Sequence, residues 1–217
     1  MHIILYGATG KAGSRLLTEL LSRRHAVTAI LRNPEKLAPN QGLTVQQGDL
    51  SSAAAIAEAI GGADALVSAY APPVGKEEQL VTVTQRLIEA IQQVSQHASS
   101  SGTAPRLIVV GGAGSLLVAP GLELADSPQM PVAWKPIADA HRKALKLLRA
   151  SSIDWTYLSP AAMFAPGERT GQFRLGQDEL LVGGGGNSYI SMEDYAIALV
   201  DELEQPQRRG QRFTVGY

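Results

Sequence analysis

The chain contains no cysteine. Disulfides, thiolate metal sites, iron–sulfur clusters and a cysteine nucleophile are therefore excluded together. It also has almost no net charge, -1 at pH 7, which removes any electrostatic reason to expect nucleic acid or an anionic membrane as partner. No stretch approaches the roughly eighteen apolar residues of a membrane helix. The first residues read as a strand, not as a basic segment followed by a long apolar core, so no signal peptide is expected. A soluble, cytoplasmic protein with no metal is the expectation. What is present is a globular composition: 217 residues, of which 45% are hydrophobic and 18% charged. That is enough chain to bury a sizeable core. No internal repeat and no linker divides it, so residues 1–217 are read as one domain.

The most informative stretch is at the start. His2-Ile3-Ile4-Leu5-Tyr6 is a short apolar run, followed at once by Gly7-Ala8-Thr9-Gly10-Lys11-Ala12-Gly13 and then by the helical pattern Ser14 to Leu21. A buried strand that breaks at glycines and re-enters as a helix is how an α/β fold builds a dinucleotide phosphate site. The spacing is GxxGxxG, and its demands are a sharp turn, close backbone approach to a pyrophosphate, and tight helix–strand packing. The helix start supplies free N–H groups and a partial positive charge.

The alternation continues along the chain. Strands are predicted at 26–31, 43–48, 65–69, 107–110 and 154–158, with helices at 53–60, 77–94 and 138–150 between them. This order implies right-handed βαβ units: a single Rossmann-type doubly wound parallel sheet with helices on both faces and a small C-terminal extension. Residues 97–105 read as a solvated connector. Residues 116–136 read as an irregular, proline-containing flap over the site. Residues 161–190, with glycines at 183 to 186, read as loops and a hairpin. Ser191-Met192-Glu193-Asp194 is a capping-box start to a helix through about Leu203, and a terminal strand lies at 212–215.

In such a sheet, ligands bind beyond the carboxyl ends of the strands, near the point where strand order reverses. Each strand end therefore offers candidate ligand-binding groups. The first offers the loop, with Gly7, Thr9, Gly10, Lys11 and Ala12. The second offers Arg32, at a place where an NAD site carries a carboxylate for the ribose 2′-hydroxyl. A guanidinium suits a 2′-phosphate, which favours NADP(H) over NAD(H), against the alternative of a merely exposed arginine. After the third strand, Asp49 and Leu50 can bond the adenine amino group and pack on its ring. Asp49 can equally cap the next helix. Ala69 and Tyr70 follow the fourth strand, Gly111-Gly112 and Ser115 the fifth, and Ser159-Pro160 with Met163-Phe164 the sixth, where they suit a nicotinamide or an apolar substrate.

Taken together these residues resemble the atypical short-chain dehydrogenase/reductases, and more narrowly the NAD(P)H-flavin reductase group related to biliverdin and flavin reductases. The likeness is carried by the loop 7–13, Gly48-Asp49-Leu50, Asp154-Trp155-Thr156-Tyr157-Leu158-Ser159-Pro160 and Ile190-Ser191-Met192-Glu193-Asp194-Tyr195-Ala196. Alcohol-oxidising members use a tyrosine with a lysine four residues later. The tyrosines here, at 6, 70, 157, 189, 195 and 217, have no such partner. The resemblance implies a serine after the fifth strand and a histidine on the following helix near the hydride acceptor, and Ser115 and His141 lie in the matching regions. His141 would donate a proton or hydrogen-bond the acceptor; a helix histidine without a role is the alternative. Two functions follow as expectations. One is an NADPH-dependent reductase of flavins, quinones or similar flat small molecules, with flavin as a substrate only. The other is a non-catalytic NADP(H)-binding redox sensor. Oligomeric state is not legible.

Overall fold

The computed structural model describes residues 1–97 and 104–217. Most of the connector expected at 97–105 lies outside the described residues. In chain order the elements are β1 (His2–Tyr6), α1 (Lys11–Ser22), β2 (Ala26–Leu31), β3 (Leu43–Gln47), α2 (Ala53–Ile60), β4 (Ala65–Ser68), α3 (Gln79–His97), β5 (Arg106–Val110), the short β6 (Leu117–Ala119) and β7 (Leu122–Glu123), α4 (Lys135–Ala150), β8 (Trp155–Ser159), β9 (Met163–Ala165), β10 (Arg174–Gly176), β11 (Tyr189–Ser191), α5 (Met192–Glu204) and β12 (Gln211–Gly216). Among the described residues no helix is long and apolar enough to cross a membrane.

Eight strands form one sheet in the order β10-β12-β8-β5-β4-β1-β2-β3. All neighbours are parallel except β10, which runs antiparallel to β12 at the edge. β1 is central: Ile4 pairs with Thr28 of β2 on one side and Leu66 of β4 on the other. The chain winds outward from β1 in both directions, so the strand order reverses there, and a cleft opens beyond Tyr6 and Ser68.

Alternation along each strand assigns the faces. Ile3 and Leu5 of β1, with Val27, Ala29 and Leu31 of β2, pack under α1 and α5. Ile4 and Tyr6 pack with Leu66 and Leu107 against α2, α3 and α4. Because both faces are covered, the central strands are apolar nearly throughout. Leu16, Leu17 and Leu20 of α1 are buried, each contributing roughly 2 kcal/mol. That packing holds α1 in place although its N-cap is Gly10, with no side-chain cap bond and no acidic residue in the first turn. By contrast, Ser52 caps α2, and Ser191 caps α5 by accepting from the Asp194 N–H at 3.0 Å, with Glu193 and Asp194 in its first turn. Only α1 of these three therefore leaves its positive end uncapped.

A polar seam ties α1 to the C-terminal third. Glu19 is 4% exposed and accepts from Arg23 at 2.8 Å and from Arg169 at 2.9 and 3.0 Å. Burial alone would raise the Glu19 pKa, but the two guanidiniums outweigh it and hold the carboxyl below its ordinary value. Arg15 pairs with Glu193 at 2.9 Å, and Glu193 also accepts the Gly167 N–H at 2.8 Å.

Two segments differ from the sequence reading. Residues 116–136 are not irregular. β6 and β7 pair, and 3-10 turns follow at Leu124–Asp126 and Val132–Trp134. Buried Leu116 and Leu124 anchor this stretch, with Leu124 N–H bonded to Leu116 C=O at 2.8 Å, and Arg142 of α4 pairs with Glu123 at 2.8 Å and Asp126 at 2.9 Å. The hairpin expected within 161–190 is absent too. β9 pairs in parallel with β11, and β10 joins β12. Parallel pairing lets Phe164 meet Tyr195 of α5 at 4.6 Å between ring centroids, contacts that a local hairpin would not reach.

Candidate cofactor site

The glycine loop is built by backbone contact. Gly7 has φ +84°, a left-handed conformation that favours glycine, and a Cβ there would lie 2.3 Å from the Ala69 carbonyl oxygen. The ends of β1 and β4 approach each other through that missing side chain. A Cβ at Gly13 would lie 2.0 Å from the Gly7 carbonyl oxygen, so Gly13 seats α1 directly on the turn. Gly10 is the least crowded, its ideal Cβ 3.2 Å from the same oxygen, and its N–H closes the loop onto Gly7 at 2.9 Å.

A cavity of about 530 Å³ opens beside this loop at the strand-order reversal. Of the residues singled out from sequence, Gly7, Thr9, Gly10, Arg32, Asp49, Leu50, Ala69 and Tyr70 line it together. Lys11 and Ala12 sit next to that lining, in the first turn of α1. Gly111 and Pro160, beyond β5 and β8, are not part of it.

Asp49 does not cap α2, because Ser52 does. Its Oδ1 instead accepts from the Ser51 N–H at 2.8 Å and the Ser51 hydroxyl at 2.5 Å, leaving Oδ2 without a partner among the described residues. Those bonds, with Arg32 and Arg86 nearby, hold its pKa below the usual carboxylate value. Arg86 escaped the sequence reading. From α3 its Nη1 donates to the Leu50 carbonyl at 2.9 Å, fixing the turn that presents Asp49 and Leu50. Its only sequence signal was a cation beside the apolar stripe of α3. Arg32, exposed at the cavity rim, has no hydrogen bond or ion pair among the described residues. Tyr70 donates to Gln79 Oε1 at 3.1 Å. Tyr6 is pushed up to about 12 by burial and by the Asp49 charge, so it stays a neutral phenol.

A second cluster lies beyond β5 and β8. An ideal Cβ on Gly111 would meet the Tyr157 ring at 2.3 Å, and one on Gly112 the His141 ring at 2.7 Å. The side of Gly111 on which a side chain would stand is thus occupied by the Tyr157 ring. Gly112 N–H donates to Tyr157 Oη at 3.0 Å, and Tyr157 Oη lies 2.9 Å from His141 Nδ1. Burial pushes the His141 pKa down to about 4. Although the edge of the ring keeps some contact with solvent, the imidazole is neutral at neutral pH, and a resident imidazolium donor is replaced by a neutral one. Burial likewise raises the Tyr157 phenol well above its ordinary value.

Ser115 makes no hydrogen bond with His141 among the described residues. Buried, it accepts from Arg212 Nη1 at 3.2 Å, while Arg212 Nε donates to Asp178 at 2.7 Å. Its hydroxyl braces the turn after β5 against β12. Met163 is 60% exposed, whereas Phe164 is half-buried and packs on Tyr195.

A family model described as NAD(P)H-binding matches residues 7–206. Among solved structures, the chain is similar to a protein from Burkholderia pseudomallei named as exported, with 43% identity, 100% of both chains covered and a TM-score of 0.88. It is similar to a protein from Bacteroides thetaiotaomicron named as an epimerase by assignment, with 42% identity, 100% of this chain and 96% of that one covered, and a TM-score of 0.83. It is also similar to a protein from Streptococcus pneumoniae named "a putative NADH-flavin reductase", with 32% identity, 100% and 99% of the two chains covered, and a TM-score of 0.85.

Proposed function

The chain belongs to the NAD(P)H-binding family, and from that premise we propose that it is an NADPH-dependent reductase passing hydride to a flavin, a quinone or a similar flat acceptor. The fold is that of NAD(P)-binding oxidoreductases. The residues fit a dinucleotide: an uncapped helix start on a glycine turn, a cavity at the strand-order reversal, and Asp49 with a free oxygen beside Leu50. The observation that carries the choice of NADPH is Arg32, unpaired at the end of β2 where a 2′-phosphate would sit.

The bound dihydronicotinamide supplies the hydride. The chain's part is to bind, orient and furnish at most one proton. The turn at Gly7 and the start of α1 would hold the pyrophosphate, Arg32 would hold the 2′-phosphate, and His141 would offer a hydrogen bond to the acceptor. Face-to-face placement of two rings is the main demand of such a reaction. Epimerisation, in the name of one relative, is disfavoured because no tyrosine here has a lysine four residues on. The partner in this proposal is a small molecule, not nucleic acid or a membrane, in the cytoplasm where reduced nicotinamides are held.

The test is to mix the protein with NADPH and FMN, FAD, riboflavin or small quinones and follow loss of reduced-nicotinamide absorbance. Turnover with at least one acceptor is expected. Tight NADPH binding with no oxidation by any of them would overturn the reductase and leave the redox sensor.

A further inference from the structure

We propose that Tyr157 is a positioning residue that holds the proton of His141 on Nε2, making that nitrogen the donor offered to the hydride acceptor. The inference rests on the reductase reading for its use, but not for its geometry. Tyr157 Oη receives the Gly112 N–H at 3.0 Å and has one proton of its own to give. Two acceptors compete for it: His141 Nδ1 at 2.9 Å and the His141 carbonyl oxygen at 3.4 Å. The carbonyl contact is longer than an ordinary O–H···O bond, so a proton on Nδ1 would leave the phenol's own proton poorly placed, whereas a proton given to Nδ1 satisfies both groups and makes Nδ1 the acceptor. The ring's own proton then belongs on Nε2, which has no protein partner among the described residues.

The packing enforces this arrangement. The imidazole lies against Gly112, where any side chain would collide with it, and meets the Tyr157 ring edge-on, with centroids 6.3 Å apart and an interplanar angle of 75°. Rotating the ring to exchange its nitrogens would abandon the one short bond available to Nδ1. In this arrangement the chain Gly112 N–H to Tyr157 Oη–H to His141 Nδ1 is directional, each group donating onward and Nε2 left without a partner among the described residues. A mis-set tautomer would turn that donor into a bare acceptor. It would then repel, rather than stabilise, the electron-rich atom that forms as an acceptor takes up hydride.

The experiment is nitrogen-15 NMR of the full chain labelled at histidine, with His141 identified by its loss in His141→Gln. Protonated and bare ring nitrogens resonate far apart, so the tautomer is read directly. Wild type is expected to show Nε2 protonated and Nδ1 bare, and Tyr157→Phe to shift both toward averaged values. Tyr157→Phe should also lower kcat about tenfold or more with KM for NADPH unchanged. A proton on Nδ1 in wild type, or an unaltered pattern in Tyr157→Phe, would overturn the proposal. Should Tyr157→Phe not fold, wild type still decides: a single fixed Nε2–H tautomer supports the proposal, and the tautomer mixture of an unrestrained imidazole overturns it. If wild type reduces no acceptor, the reductase reading falls, whereas the spectrum still decides whether Tyr157 sets the tautomer.

Discussion

The glycine-loop cavity and the cluster beyond β5 are made in different ways. The first is assembled from backbone: Gly7 and Gly13 hold β1, β4 and α1 at distances that would not admit a methyl group, and the helix start is left uncapped. The second is assembled from side chains, with Gly112, His141 and Tyr157 meeting from three separate elements. A turn of adjacent residues can be recognised by its local spacing, while a site drawn from distant residues depends on how whole elements dock. The first is therefore legible from local spacing, and the second only once α4 has docked beside β8.

Four tests would sharpen or break that contrast. The largest effect belongs to Gly13→Val, which drives a side chain into the Gly7 carbonyl 2.0 Å away. A loss of roughly 3 kcal/mol in denaturant unfolding, with NADPH binding abolished in calorimetry, is expected from such overpacking. Unchanged NADPH affinity would mean that the loop is not built as described.

Acidification acts on the cluster beyond β5. Unfolded, His141 takes up a proton near its ordinary 6.5; folded, it resists until about 4. Over that window the unfolded state binds more protons, so stability falls as pH drops from about 6.5 to about 4, by roughly 3 kcal/mol in all. His141→Gln should remove this part of the pH dependence in unfolding titrations, and an identical dependence in both proteins would contradict it.

Arg32→Glu comes next. Loss of a charge-assisted bond to a 2′-phosphate at an exposed rim should weaken NADPH about tenfold while leaving NADH nearly unaffected. Equal weakening of the two, in fluorescence titrations, would remove the basis for NADPH. The smallest effect is Ser115→Ala. If the hydroxyl only braces Arg212, the variant loses about 0.5–1 kcal/mol of stability and keeps its kcat. A large fall in kcat at unchanged stability would return Ser115 to the reaction.

Much of the fold was legible because its signals are local. The apolar strands, the Ser52 and Ser191 caps and the glycine loop are each set by neighbours within a few residues. The lining of the cavity was legible for the same reason, since Arg32, Asp49-Leu50 and Ala69-Tyr70 each follow a strand end directly. Arg86 was missed because its partner, the Leu50 carbonyl, is 36 positions away on another element. Residues 116–136 were misread as irregular because Arg142, which gathers Glu123 and Asp126, belongs to a later helix. Ser115 looked free in sequence. Only the docking of β12 shows that Arg212 occupies its hydroxyl.

By itself, the amino-acid sequence determined a doubly wound sheet and a dinucleotide turn at its centre. Periodicity and glycine spacing are properties of short segments, and short segments choose strand, turn or helix largely on their own. Which way Asp49 points, what Ser115 serves and how His141 is held were decided only by the tertiary structure. Burial and hydrogen bonding act through space: a ring nitrogen 16 positions from a phenol becomes its partner only after α4 packs beside β8. The glycines at 111 and 112, which the sequence placed only at a strand end, leave the room into which that pair folds.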